Sequence, residues 1–190
     1  MRVYYKRLIT VICCTFLLAA IPALAEQTRE ELAKETMAAL AASASTPATP
    51  QLVMEKVNKA AALLEKEGKA AYPKFKGKDS EFIFGGTYLW VHSLETADMK
   101  MHPVMPQTEG NPGNPSLKDA NGKFIVVAMN EVAKNKGAGW VDYVWPKPGE
   151  TAFSLKLSYV KRVKIDGEDC LVGCGIFGVS PEEAKKLLAQ

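Results

Sequence analysis

The chain carries Gly139-Trp-Val-Asp-Tyr-Val-Trp-Pro146 and, after a turn-rich gap, Lys156-Leu-Ser-Tyr159. Both stretches are rich in the aromatic and β-branched residues that suit a pleated, half-buried surface, which predicts adjacent strands. They set two Trp and two Tyr beside a single Lys. That combination makes an apolar pocket with one cationic end, and such a pocket suits a small organic anion. No nucleophile motif accompanies it, so binding is expected and catalysis is not.

Further toward the C-terminus, Ala152–Ile165 and Cys170–Val179 complete a three-strand meander that begins at Gly139–Trp145. Ser180 then reads as an N-cap, with Pro181 at the first helical position and Glu182 and Glu183 in the first turn. Upstream, Asn121–Lys136 predicts a helix with Phe124, Val127, Ala128 and Val132 on its apolar side and Gly137 as its stop. Pro103–Pro115 also holds Pro106, Gly110, Pro112 and Gly113, which rules out a continuous helix or strand there. Thr87–Leu94 alternates, with Tyr88, Trp90 and His92 on one face and Leu89 and Val91 on the other. A turn at Glu95–Asp98 leads to a second short strand, Met99–His102. Glu26–Ala42 has helix-favouring composition, Ser43–Pro50 breaks it, and from Gln51 the residues Val53, Val57, Ala60, Ala61 and Leu64 recur at helical spacing up to Gly68. The fold class expected is α+β: a PAS-like five-stranded antiparallel sheet with a long N-terminal helix and helices on one side.

Arg2, Lys6 and Arg7, the apolar run Leu8–Ala20 and the small residues at Ala23-Leu24-Ala25 have the order of a secretory signal peptide. The run is shorter than the roughly 20 residues that cross hydrocarbon. Cleavage after Ala25 and a periplasmic location are expected. The chain then divides into residues 26–50, an N-terminal helix and linker, and 51–190, one domain. Without the three leader cations the basic count falls from 24 to 21, equal to the 21 acidic residues. A neutral chain gives no electrostatic case for nucleic acid, and without a second apolar segment no membrane insertion is expected after the leader is removed. Cys13 and Cys14 fall within the leader. In a continuous strand Cys170 and Cys174 stand about 13 Å apart, beyond the about 4.4–6.8 Å that a disulfide accepts. Free buried thiols are favoured over a strained or intermolecular bridge. Their spacing matches no zinc, redox or haem motif, and no cofactor is expected.

The residues from about Gln51 to Phe177 resemble the single Cache domain, type 2, of bacterial extracytoplasmic sensors. The resemblance is carried by Val57–Gly68, Tyr88–Val91, Met101-His102-Pro103, Lys118-Asp119 with Asn121-Gly122-Lys123, Gly139–Pro148, Lys156–Val160, and Val172-Gly173 with Gly175-Ile176. It implies a module that binds small carboxylates such as acetate, propionate, lactate or pyruvate outside the cytoplasmic membrane, here in a free-standing exported form. The chain departs from the family pattern at Cys170 and Cys174, and Phe177 stands where Tyr is common.

Lys156 is the expected carboxylate anchor; the alternative is a solvated strand lysine like Lys161 and Lys164 nearby. His102 is a second donor to the ligand or, alternatively, a cap for the loop before Pro103. Tyr143 and Tyr159 each pair a wall-forming ring with a hydroxyl; the alternative is that one of them is core. Tyr88 and Trp90 share a face and extend the wall, or else pack under a helix. Trp140 and Trp145 have opposite parity, so at most one belongs to the pocket; Trp140 is assigned to it. Two other chemistries compete. Met99, Met101, His102 and Met105 would suit Cu(I), against a core role for alternating Met. Ser154, Ser158, His92, Asp142 and Asp166 could be assembled into a triad on paper but share no motif. The expected partners are a small organic anion and a membrane sensor or redox protein; the competing function is a non-catalytic accessory or interaction subunit that keeps the fold without binding a ligand.

Overall fold

The computed structural model describes residues 29–189. The expected leader at 1–25 lies outside them. Helix α1 occupies 29–43 and is followed by a short break. Helix α2, Pro50–Glu67, begins where the Thr49 hydroxyl accepts the Leu52 N–H at 3.2 Å, with Pro50 in the first turn. It ends at Gly68, whose φ of 61° lets its N–H return to the Leu64 carbonyl. Besides Pro50, its buried residues are Val53, Val57, Ala60, Ala61 and Leu64, the stripe that the helical spacing picks out. A 3₁₀ segment, Gly68–Phe75, continues the chain.

The strands are β1 Ile83–Phe84, β2 Thr87–Ser93, β3 Met99–Met101, β4 Ala138–Pro146, β5 Phe153–Ile165 and β6 Glu168–Phe177. They form one six-stranded sheet in the order β1-β2-β6-β5-β4, with β3 paired beside β2 and every pairing antiparallel. Five strands were expected; the sixth, β1, is two residues long and too short to register as an alternation. The last strand in sequence, β6, therefore sits at the sheet centre, between β2 of the first hairpin and β5 of the meander.

Helices cover both faces, not one. On the first face α2 packs on Leu89, Val91, Leu157, Tyr159, Val172 and Cys174, joined by Ala184 and Leu187 of helix α4, Pro181–Leu188. On the opposite face, helix α3, Ile125–Lys136, packs on Trp90, Val141, Val160 and Leu171. Strict alternation along β2 and β5 supplies apolar residues to both sides, so a one-sided reading of it fails.

Helix α3 also starts four residues later than its composition predicts. The Asp119 carboxylate accepts the backbone N–H groups of Asn121, Lys123 and Val144, and Lys118 bridges Phe124. Residues 118–124 thus close a turn, and the side chain that draws them away from helix is the Asx-type competitor Asp119. The inward face of α3 is Ile125, Met129 and Ala133, while Phe124 and Val127 are exposed. In the proline-rich segment only Pro106–Thr108 makes a 3₁₀ turn. Cys170 and Cys174 are buried free thiols. The Ser180 hydroxyl accepts the Glu183 N–H at 3.2 Å and opens α4 where the sequence places it.

The α3 face yields a direct test. Met129→Ala removes a buried side chain and is expected to lower stability by about 2–5 kcal/mol. Val127→Ala, on the outward face, is expected to stay within about 0.5 kcal/mol. Urea unfolding of the two variants checks the assignment; equal losses would overturn it.

Candidate functional site

Strand register decides which side chains meet. Tyr143 on β4 pairs with Lys156 on β5, which pairs with Phe177 on β6. Next along β6, Gly175 pairs with Ser158, and Gly173 pairs with Trp90 on β2. The two glycines have no side chain on this face, and other groups occupy the space. A Cβ at Gly175 would stand 2.3 Å from Lys156 Cε and 2.4 Å from Ser158 Oγ, and one at Gly173 would stand 2.6 Å from the Trp90 ring. The lysine stem therefore lies across the bare backbone of Gly175, and the indole across that of Gly173.

The Lys156 ammonium ends among four rings. Its Nζ is 5.2 Å from the Phe177 centroid, 5.6 Å from those of Tyr88 and Trp90, and 6.0 Å from that of Tyr143. The residue is only 6% exposed. Among the described residues no carboxylate forms an ion pair with it. Burial pulls its pKa down to about 8, against a smaller opposing pull from Cys174. Ring quadrupoles recover part of the lost hydration, about 0.5–2 kcal/mol for a well-placed cation. They do not replace a counter-charge.

Beside it, His102 Nδ1 accepts the N–H groups of Val104 at 3.3 Å and Met105 at 3.0 Å. Both partners donate, so the ring proton sits on Nε2. Burial, then the charges of Lys156 and Lys76, hold the His102 pKa down at about 3, and the imidazole is neutral. Its ring lies 5.1 Å from that of Tyr88. Burial pushes the Tyr88 hydroxyl up to about 12, which keeps it a donor. Tyr143 spends its hydroxyl on Ser158 Oγ at 2.9 Å, and burial raises its pKa as well.

These groups line a cavity of about 400 Å³ between the sheet, α3 and the segment 103–115. That segment is tied down at fixed points. Glu109 accepts the His102 N–H at 2.7 Å and pairs with Lys76 at 2.6 Å; Gly110 N–H reaches the Met99 carbonyl, and Gly113 N–H reaches Asp98. A larger depression, about 820 Å³, lies along α2, but its Lys59, Lys74 and Lys76 are already paired with acids. It holds no buried uncompensated charge.

With this geometry in view, the profile of the family described as Single Cache domain 2 matches residues 27–178. The chain belongs to this family. It is 31% identical over 102 residues to methyl-accepting chemotaxis protein McpP of Pseudomonas putida; the match covers 53% of this chain and 18% of that protein. Among solved structures it is similar to a periplasmic sensor domain of a chemotaxis protein (27% identity, TM-score 0.46, covering 82% of this chain and 98% of that one). It is also similar to a Cache chemosensory domain studied for carboxylic acid recognition (25% identity, TM-score 0.47, covering 85% and 98%). Among the described residues no helix of this Cache domain is long and apolar enough to cross a membrane.

Of the residues singled out by sequence, Lys156, His102, Tyr143, Tyr88 and Trp90 line the cavity of the Cache domain. Tyr159 and Trp140 do not. They stack on each other at 5.3 Å in the α2-facing core, three residues from Lys156 and Tyr143 respectively and hence of opposite parity. Trp145, two residues from Tyr143, takes the wall position instead. Parity alone would have separated these pairs, whereas Phe177, Gly173 and Gly175 become visible only through the β6 register. The thioether set is split, because Met101 is buried under α2 while Met99 and Met105 face the cavity. Four of the five triad candidates are engaged separately: His92 with Asn130, Ser158 with Tyr143, Asp142 with Lys123 and Asp166 with the Lys69 N–H.

An unpaired buried lysine costs stability, and the sign follows from its pKa. Because the folded value, about 8, lies below the ordinary 10.5, the penalty is complete below pH 8 and fades as pH rises toward 10.5. Lys156→Met keeps the volume and removes the charge. It is expected to stabilise the ligand-free protein by on the order of 3 kcal/mol at neutral pH. Chemical denaturation at about pH 7 and about pH 10 checks this: the gain should shrink at the higher pH, and a destabilised variant would refute it.

Proposed function

We propose that this Cache domain is a non-catalytic sensor module that binds a small organic carboxylate, with acetate, propionate, lactate and pyruvate as the first compounds to try. One observation carries the reading: a buried ammonium, without a counter-ion among the described residues, at the end of an apolar cavity. A carboxylate supplies the missing charge, and the low dielectric of the walls strengthens the contact. His102 Nε2–H and the Tyr88 hydroxyl are further donors in the same lining. Aromatic walls exclude the water that would otherwise solvate Lys156.

Binding would work as a signal through segment 103–115, which contributes Met105 and Pro112 to the cavity wall and carries His102 at its base. A ligand that fits only when this segment is closed favours that arrangement, and a membrane receptor or sensor would read it. The pattern of residues 1–25 supports export to the periplasm, where such a ligand would be met.

Thermal-shift and calorimetric titration with the four acids test the proposal. The melting temperature should rise with at least one acid, and Lys156→Met should remove that rise. Affinity should be flat below about pH 8 and fall toward tenfold per pH unit above it, because a neutral Lys156 must take up a proton as the anion binds. Gly175→Ala displaces the lysine stem without straining the backbone, so it should abolish binding in a protein that still folds. No stabilisation by any carboxylate would sink the proposal and leave the accessory-subunit reading in its place.

A further inference from the structure

The cavity is larger than the smallest candidate acids need. At about 30 Å³ per water, its 400 Å³ corresponds to roughly a dozen waters. A two- or three-carbon acid held at Lys156 leaves most of that space unfilled. The space has a second polar end. His92 follows Tyr88 and Trp90 on the same face of β2 and lines the same cavity, roughly 7 Å beyond Trp90 along the strand.

His92 is 3% exposed, and its Nε2 lies 2.8 Å from Asn130 Oδ1 on α3. The carbonyl oxygen can only accept, so His92 donates from Nε2 and its Nδ1 carries a lone pair. Among the described residues nothing donates to that Nδ1, and burial lowers the ring's pKa, which keeps it neutral. The two ends are thus chemically complementary: donors and a positive charge at Lys156, a lone pair at His92. Between them Trp90, Ile125 and Met129 form an apolar wall.

Resting on the carboxylate reading above, we infer that the preferred ligands are acids whose chain carries a hydrogen-bond donor, such as a hydroxyl, at the end remote from the carboxylate. The carboxylate meets Lys156, the chain crosses the apolar wall, and the donor reaches His92 Nδ1. Asn130 is a positioning residue, because it fixes the tautomer and the ring.

The test compares straight-chain alkanoates of three to six carbons with their ω-hydroxy counterparts by calorimetry on the wild-type chain. One neutral hydrogen bond predicts an advantage of about 3- to 10-fold for the hydroxy acid at the best length, near four to six carbons, and none at three. His92→Phe should erase that advantage, read as the affinity ratio between acids of equal length within the variant; Asn130→Leu should reduce it. If the hydroxy acids gain nothing at any length, or if the gain survives in both variants, the inference falls while carboxylate binding stands. If no acid of either series binds, the carboxylate reading falls and takes the inference with it. Should His92→Phe fail to fold, the wild-type length series alone decides.

Discussion

Everything in the site follows from the position of one ammonium group. Lys156 leaves β5 with its stem over Gly175 and its nitrogen among Phe177, Tyr88, Trp90 and Tyr143. A charge so placed is a liability for the ligand-free chain, since desolvation outweighs what ring faces return. Under the proposed function the same liability would be a source of affinity, because an anion entering the cavity would meet a cation already stripped of water. Stability and recognition therefore pull in opposite directions at this residue.

The two faces of the sheet divide the work. Against α2, the layer is filled by Leu89, Val91, Leu157 and Val172 with no polar anchor among them, and it supplies the apolar burial that offsets the strain of the other side. Against α3 the same strands present Trp90, His92, Tyr143 and Lys156, and the layer does not close. Strand β6 makes this possible. As the central strand it touches both β2 and β5, and its Gly173 and Gly175 open room for the largest side chains of its neighbours.

Polar groups around the cavity hold structure as well as face it. Asp119 spends both oxygens on backbone N–H groups, the Val144 contact being the strongest reason its carboxyl stays below the usual range, and so joins the turn before α3 to β4. Glu109 joins segment 103–115 to the His102 backbone and to Lys76. His102 in turn uses Nδ1 to organise the start of that segment and has Nε2 left. The capping role of this histidine occupies Nδ1 alone, so it leaves Nε2 for the role proposed toward a ligand.

Much was legible in the chain itself. Period and punctuation were enough for α2, α4, the alternation of β2 and the meander, because each rests on local spacing, capping chemistry or turn residues. The alternation of β2 also put Tyr88, Trp90 and His92 on one face. The chain alone did not reveal that helices flank both sides, that α3 begins at Ile125, or that Tyr159 and Trp140 point away from the cavity. It offered aromatic residues in number, while the pleat sorts them by parity and the antiparallel register sorts them by neighbour. Phe177 beside Lys156, the bare backbone under the lysine stem and the unmatched charge all arise from strands distant in sequence. Those were decided by tertiary structure, since hydrogen-bond register across β2, β6, β5 and β4 determines which side chains share one cavity.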